Sequence, residues 1–171
     1  KRVGIAAGRG NNGGDGFVMA RCLAERGVRV TVFLLANKAD VTGDAAANLK
    51  LLTPLCIPVI ELPDSEAFSK HTTTLRHQGI WIDAILGTGL NAEVKTYFKE
   101  VITFINESGR PVFCVDIPSG LNADTGRPMG VCIQGTATAT FGFPKIGHIS
   151  HPGAACTGKL KVVDIGIPHF V

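Results

Sequence analysis

No stretch of this chain is apolar for long enough to span a bilayer, and its start carries no secretory-signal pattern. Charge of one sign is not in excess. The 17 Lys and Arg face 14 Asp and Glu, a net of +3, and the basic residues are scattered rather than interleaved with aromatics. Nucleic acid is therefore not the expected partner. C-x-x-C is absent, and the five cysteines (Cys22, Cys56, Cys114, Cys132, Cys156) are odd in number and widely spaced. That pattern argues against a zinc site and against a disulfide scaffold, and favours a reducing, cytoplasmic compartment. Cys22 and Cys114 fall within expected core elements, where a free cysteine behaves as a small hydrophobe. The G-x-S-x-G elbow of serine hydrolases is missing, as are internal repeats, low-complexity segments and linkers. What remains, at 171 residues with 45% hydrophobic and 18% charged side chains, reads as one domain over residues 1–171. The chain opens on Lys1 and enters a strand almost at once, as expected of a fragment, a processed form or a chain whose beginning is not shown.

The chain is organised around Gly8-Arg9-Gly10-Asn11-Asn12-Gly13-Gly14-Asp15-Gly16. An apolar run, Val3 to Ala7, precedes it, and Phe17 to Arg26 reads as a helix. A strand, a glycine turn and a helix build an anion cradle, because the first N–H groups of a helix lack partners and carry partial positive charge. Glycine allows positive φ and close approach of a phosphate. Gly8, Gly10 and Gly13 satisfy the dinucleotide fingerprint G-x-G-x-x-G, which alone also fits a plain strand-to-helix turn. Two amides and a carboxylate in the same loop add groups that orient a ribose, an amide or a cation.

Apolar strand-like runs then alternate with helical patterns, the signature of a parallel α/β sheet. Strands are expected at Val28–Leu35, Ile57–Leu62, Ile80–Leu86, Val112–Val115, Thr136–Phe143 and Lys159–Ile165. Helices are expected from Thr42 or Asp44, over 65–76, and through Val94, Phe98, Val101, Ile102 and Ile105. Three strands end in glycine or polar clusters, at Gly8–Asp15, Gly87–Gly89 and Asp116–Ser119, and parallel strands bring all three to one sheet edge.

Asp83 is the strongest anomaly, a carboxylate inside an apolar strand. Burying it is costly unless it accepts backbone N–H bonds, ligates a cation or binds substrate. Asp, Asn and Ser oxygens suit a hard cation. Asp116 either stops its strand as an Asx-type turn or, flanked by apolar Val115 and Ile117, serves as a general acid/base. Lys145 reads either as an exposed lysine or as one that reaches a phosphate. His148 and His151 are spaced H-x-x-H without a third ligand and read as loop histidines.

Three segments together carry a resemblance: Gly10-Asn11-Asn12-Gly13-Gly14-Asp15-Gly16, Asp83-Ala84-Ile85-Leu86-Gly87-Thr88-Gly89-Leu90, and Val115-Asp116-Ile117-Pro118-Ser119-Gly120-Leu121. They resemble the signatures of the YjeF N-terminal domain, the NAD(P)H-hydrate epimerase family, as do Phe141 with Pro144-Lys145 and the closing Val163 to Pro168. The resemblance implies a three-layer Rossmann-like α/β fold with a mostly parallel sheet. It implies an isomerase that interconverts the R and S forms of hydrated NADH and NADPH (NADHX and NADPHX), a metabolite-repair reaction. By resemblance, Asn12, Asp83 and Ser119 ligate a potassium ion (K+). Asn11, Asn12, Gly13, Gly14 and Asp15, with Gly87, Thr88, Gly89, Leu90, Asn91, Ala92, Glu93 and Asp116, bind the hydrated nucleotide, and Asp116 is catalytic. Family members usually carry helices ahead of the first strand, which are expected to be missing here, and the intact protein is expected to be a homodimer. In some members the domain is fused to an ADP- or ATP-dependent dehydratase. An NAD(P)-dependent oxidoreductase is the alternative enzyme, but the second strand ends in Leu34-Leu35-Ala36-Asn37, with no acid for a ribose. A binding or scaffold module is the non-enzymatic alternative, expected to have lost the acid and cation ligands that are all present here.

Overall fold

A computed structural model describes residues 2–94 and 96–167. Its sheet has seven strands: β1 (Arg2–Ala7), β2 (Arg29–Leu34), β3 (Val59–Glu61), β4 (Ile80–Ala84), β5 (Val112–Val115), β6 (Ala137–Phe141) and β7 (Lys159–Val163). They lie in the order β3-β2-β1-β4-β5-β6-β7, and every pair is parallel. The apolar runs form these strands because both faces are covered, as parallel sheets require. On one face, α1 (Asn11–Glu25) and α2 (Gly43–Lys50) pack Phe17, Ala20, Ala45 and Leu49 onto Ile5, Val32 and Ile82. On the other, α3 (Ser65–Lys70), α4 (Thr72–Arg76) and α5 (Thr96–Glu107) bring Phe68, Leu75, Val101, Ile102 and Ile105 onto Phe33, Trp81 and Val112. The three-layer Rossmann-like fold expected of the chain is what the structure has, and its sheet is wholly parallel.

The strand order reverses between β1 and β4, and their register pairs Ala7 with Ala84. Both strands therefore end side by side, at the switch point where doubly wound sheets open a ligand crevice. β5 adjoins β4, so the Asp116 turn lies next in line.

Four expectations need correction. The first helix begins at Asn11, not Phe17, so the glycine stretch is largely the helix's opening turns. Residues 65–76 form two short helices that meet at His71. Cys22 is exposed, because it sits on the outer face of α1. Residues 146–157 contain α6 (Ile146–Ile149) and α7 (Gly153–Thr157), and His148 is a buried member of α6 rather than a loop residue. All five cysteines are free thiols, with Cys132 Sγ hydrogen-bonded to Cys156 Sγ at 2.8 Å. No helix among the described residues is long and apolar enough to cross a membrane.

Candidate active site

The glycine stretch does its work by closeness rather than by unusual dihedrals. None of Gly8, Gly10, Gly13, Gly14 and Gly16 has positive φ, contrary to the expected role. A Cβ on Gly13 would lie 1.9 Å from the Gly8 carbonyl oxygen, and one on Gly8 would lie 2.1 Å from the Ile85 carbonyl oxygen. A Cβ on Gly16 would lie 2.7 Å from the Ala84 methyl. The start of α1 is thus pressed onto the ends of β1 and β4. Its N-cap, Gly10, has no side chain to satisfy the first N–H groups, which are left at the strand ends with the helix's positive pole.

A cleft of about 580 Å³ opens there, lined by Arg9, Asn11, Asn12, Asp15, Leu86, Gly87, Thr88, Gly89, Phe98 and Asp116 among others. All three strand ends contribute to it, as the sequence predicts. Among the expected nucleotide-binding residues, Gly13 and Gly14 are buried in helix packing, and Leu90, Asn91, Ala92 and Glu93 lie outside the lining. Glu93 packs over Gly130, and the Leu90 carbonyl accepts Asn122 Nδ2–H at 3.1 Å. Arg9 and Phe98 were not singled out as site residues. Arg9 supplies a cation at the rim and Phe98 an apolar wall from α5. A larger cavity of about 670 Å³, lined by Lys38, Val41, Leu49, Cys56 and others, lies away from these strand ends, and no carboxylate lines it.

Beneath the cleft floor sits a polar knot. Asp83 is fully buried, and its carboxylate accepts Ser119 N–H at 2.7 Å, Ser119 Oγ–H at 2.5 Å and Ile85 N–H at 3.3 Å. Burial pushes its pKa up to about 6, against the pull of hydrogen bonds from Ser119, Ile85 and Cys114. No cationic side chain pairs with it among the described residues. Ser119 Oγ also accepts Leu86 N–H at 2.8 Å, while Asn12 Nδ2 donates to the Leu86 carbonyl at 3.0 Å. Asn12 Oδ1 is buried without a partner. The turn that presents Ser119 depends on Gly120, whose φ is +93° and whose place for a Cβ is 2.0 Å from the Val131 carbonyl oxygen.

Asp116 caps β5 with φ of +64°, a left-handed conformation that Asp tolerates better than most side chains. Its N–H donates to the Ala139 carbonyl at 2.8 Å, which ties the turn to β6. Val115 and Ile117 point into the core and do not form an apolar pocket around the carboxylate. Instead the carboxylate contacts the Lys145 ammonium, and Thr140 Oγ donates to Oδ1 at 2.9 Å. Lys145 is neither an exposed lysine nor, in this arrangement, a phosphate arm. Across the cleft, burial and the Asp116 charge raise the Asp15 pKa above its ordinary value.

A doubly wound parallel sheet with an uncapped helix N-terminus, a buried hydrogen-bonded carboxylate beneath the cleft and a second carboxylate at the switch point defines an α/β nucleotide-type site. Residues 1–147 match the family described as the YjeF-related protein N-terminus, and the chain belongs to that family. It is 45% identical over 168 residues to a bifunctional NAD(P)H-hydrate repair enzyme from Moorella thermoacetica, covering 98% of this chain and 32% of that one. It is 36% identical to an NAD(P)H-hydrate epimerase from Oenococcus oeni, covering 98% of this chain and 75% of the relative. The crystal structure of the yeast protein YNL200c superposes with a TM-score of 0.82 at 24% identity, over 98% of this chain and 68% of the yeast chain. The chain thus spans about a third of the length of the bifunctional relatives.

Proposed function

We propose that this chain is an NAD(P)H-hydrate epimerase domain, which inverts the hydroxyl-bearing C6 of the hydrated nicotinamide ring of NADHX and NADPHX. The observation that carries this is the Asp116 carboxylate, fixed at the β5 end of the switch-point cleft opposite the start of α1. Inversion requires the C6–O bond to break as a proton passes to the departing hydroxyl. The ring nitrogen's lone pair fills the resulting cation, and water then adds to the other face and returns the proton. Asp116 is the acid/base of both halves, an effect worth about 10² to 10⁴ in rate. The N–H groups at the start of α1 and the Arg9 guanidinium suit the nucleotide's phosphates. Asn11, Asn12 and Asp15 with the Gly87–Gly89 loop frame the rest of the molecule, with Phe98 as an apolar wall.

Asn12, Asp83 and Ser119 would hold a potassium ion. The fit rests on the orphaned Asn12 Oδ1 and on a buried carboxylate with no cationic partner among the described residues, all hard oxygen donors. When bound, the ion would supply fixed positive charge under the Leu86–Gly87 loop. We also place the domain in the cytoplasm, as a homodimer when intact. It would act with a fused or separate ADP- or ATP-dependent dehydratase. The bifunctional repair enzymes among its relatives support that pairing. The direct test mixes purified (R)-hydrate with the protein in potassium buffer and follows the S form by chromatography. Appearance above the spontaneous rate supports the reading. A folded, potassium-loaded protein that gives no acceleration sinks it.

A further inference from the structure

Asp116 is gripped from one side only. An ammonium has three donors and no acceptor. Those of Lys145 are all used within the chain, on Asp116 Oδ1 in a short contact, on Thr140 Oγ at 2.7 Å and on the Phe141 carbonyl at 3.3 Å. None is left for a ligand. The same Oδ1 also accepts the Thr140 hydroxyl at 2.9 Å and Phe141 N–H at 3.3 Å. Among the described residues no hydrogen bond reaches Oδ2, and Asp116 lines the cleft. One carboxylate oxygen is saturated and the other is free.

The grip is built into the fold. Thr140 is fully buried on β6, and β6 pairs with β5 through Val115 and Ala139, one residue before Asp116 and Thr140. Lys145 enters from the turn after β6 and is fixed at its backbone, where its N–H donates to His148 Nδ1 at 3.0 Å. His148 is itself buried. An ion pair this well shielded holds direction as well as charge, because charge-assisted bonds are shorter and stronger than neutral ones. The left-handed Asp116 backbone would not fix the carboxylate's rotation without it.

We infer that Lys145 is the positioning residue for Asp116: with Thr140 and the Phe141 N–H it saturates Oδ1, so that Oδ2 alone meets the reacting atoms, in one direction. This rests on the epimerase reading of the cleft. The charged and titratable groups facing the pair are Asp15 from α1 and His148 from α6. Lys145 acts through Asp116 and contributes no atom to the substrate.

The test compares wild type with Lys145→Met, Lys145→Arg and Thr140→Val. Epimerisation of (R)-hydrate is measured alongside the ¹³C resonance of the Asp116 carboxyl, assigned by its loss in Asp116→Asn. Lys145→Met should lower kcat about tenfold or more while KM moves less than about twofold, since the lost effect is on orientation in the transition state. Lys145→Arg, or added ethylamine on the Met variant, should restore part of the rate, which a purely structural lysine would not show. Thr140→Val should give a smaller loss. A Lys145→Met protein with wild-type kcat overturns the inference. If wild type itself gives no turnover, the reaction assignment fails, and the carboxyl resonance then decides. A shift between wild type and Lys145→Met supports the pair's role, and an unmoved resonance overturns it.

Discussion

Ser119 grips Asp83 with both its groups, the backbone N–H reaching Oδ2 at 2.7 Å and the hydroxyl reaching Oδ1 at 2.5 Å. One residue of the β5 turn thereby fixes a carboxylate on β4, and the Asn12 amide closes the third side through the Leu86 carbonyl. The carboxylate is buried, its pKa is raised to about 6, and no side-chain cation among the described residues balances it. Because the folded value exceeds the ordinary 3.8, folding takes up a proton. The associated stability is present below about pH 4 and lost as pH rises through about 6, a swing of about 3 kcal/mol. A bound monovalent cation should oppose that loss. The melting midpoint at pH 8 should therefore rise when potassium replaces choline, with about 3 kcal/mol gained at hundredfold saturation. In Asp83→Asn the potassium increment should vanish. Equal midpoints in both salts for wild type would dismiss the cation assignment.

The close approach of α1 to the sheet makes a second, purely structural prediction. Gly13→Ala places a methyl 1.9 Å from a backbone oxygen that cannot move without disturbing β1. Overpacking of this kind costs about 1–3 kcal/mol, and more where backbone must shift. Thermal denaturation should show a midpoint several degrees lower, whereas Gly89→Ala, with nothing within 4 Å of the added carbon, should stay near wild type. Equal midpoints for the two variants would show that α1 is not held this closely.

His148 is a buried imidazole whose Nδ1 accepts the Lys145 N–H, so the ring is neutral and protonated at Nε2. Burial lowers its pKa, and the Lys145 charge adds to this, against an opposing pull from Asp116. A base with a lowered folded value contributes stability that is present above its ordinary pKa of 6.5 and lost as pH falls through the folded value. The His148 contribution should be lost on acidification below about pH 6.5, against the Asp83 gain, so His148→Gln should become more stable relative to wild type as pH falls. Urea midpoints at pH 5 and pH 7.5 measure both slopes, and parallel slopes would exclude the histidine as the cause.

Much of the fold was legible because its strands are short apolar runs buried on both faces, and Ile80 to Ala84 announces itself with one polar exception, Asp83. That exception and Asp116 mark the site for the same reason: neither fits a core without partners. The start of α1 was harder to read, since five glycines suggest a loop, and only their contacts with Gly8, Ala84 and Ala45 show that they admit a helix too close for a Cβ. Cys22 was misplaced because it lies in α1 but off the face that buries Phe17 and Ala20. Lys145 was visible but not its role, because its partner lies 29 residues earlier and meets it only through the β5–β6 pairing. Spacing along a chain carries no signal for a contact made across a sheet.

The strongest functional prediction concerns Asp116 itself. Asparagine keeps an oxygen that can accept the Thr140 hydroxyl and the Phe141 N–H, so the turn should persist. What it cannot do is take and return a proton. Asp116→Asn should therefore fold with a circular dichroism spectrum like that of wild type and lose about 10² to 10⁴ in kcat for epimerisation. Binding of the hydrated nucleotide should weaken far less, because the uncapped α1 N-terminus and Arg9 are untouched. Calorimetry of binding beside the chromatographic rate separates the two effects. A variant that binds and turns over like wild type would reduce Asp116 to a strand stop, and the acid/base of this cleft would then have to be sought in Asp15, the other carboxylate that lines it.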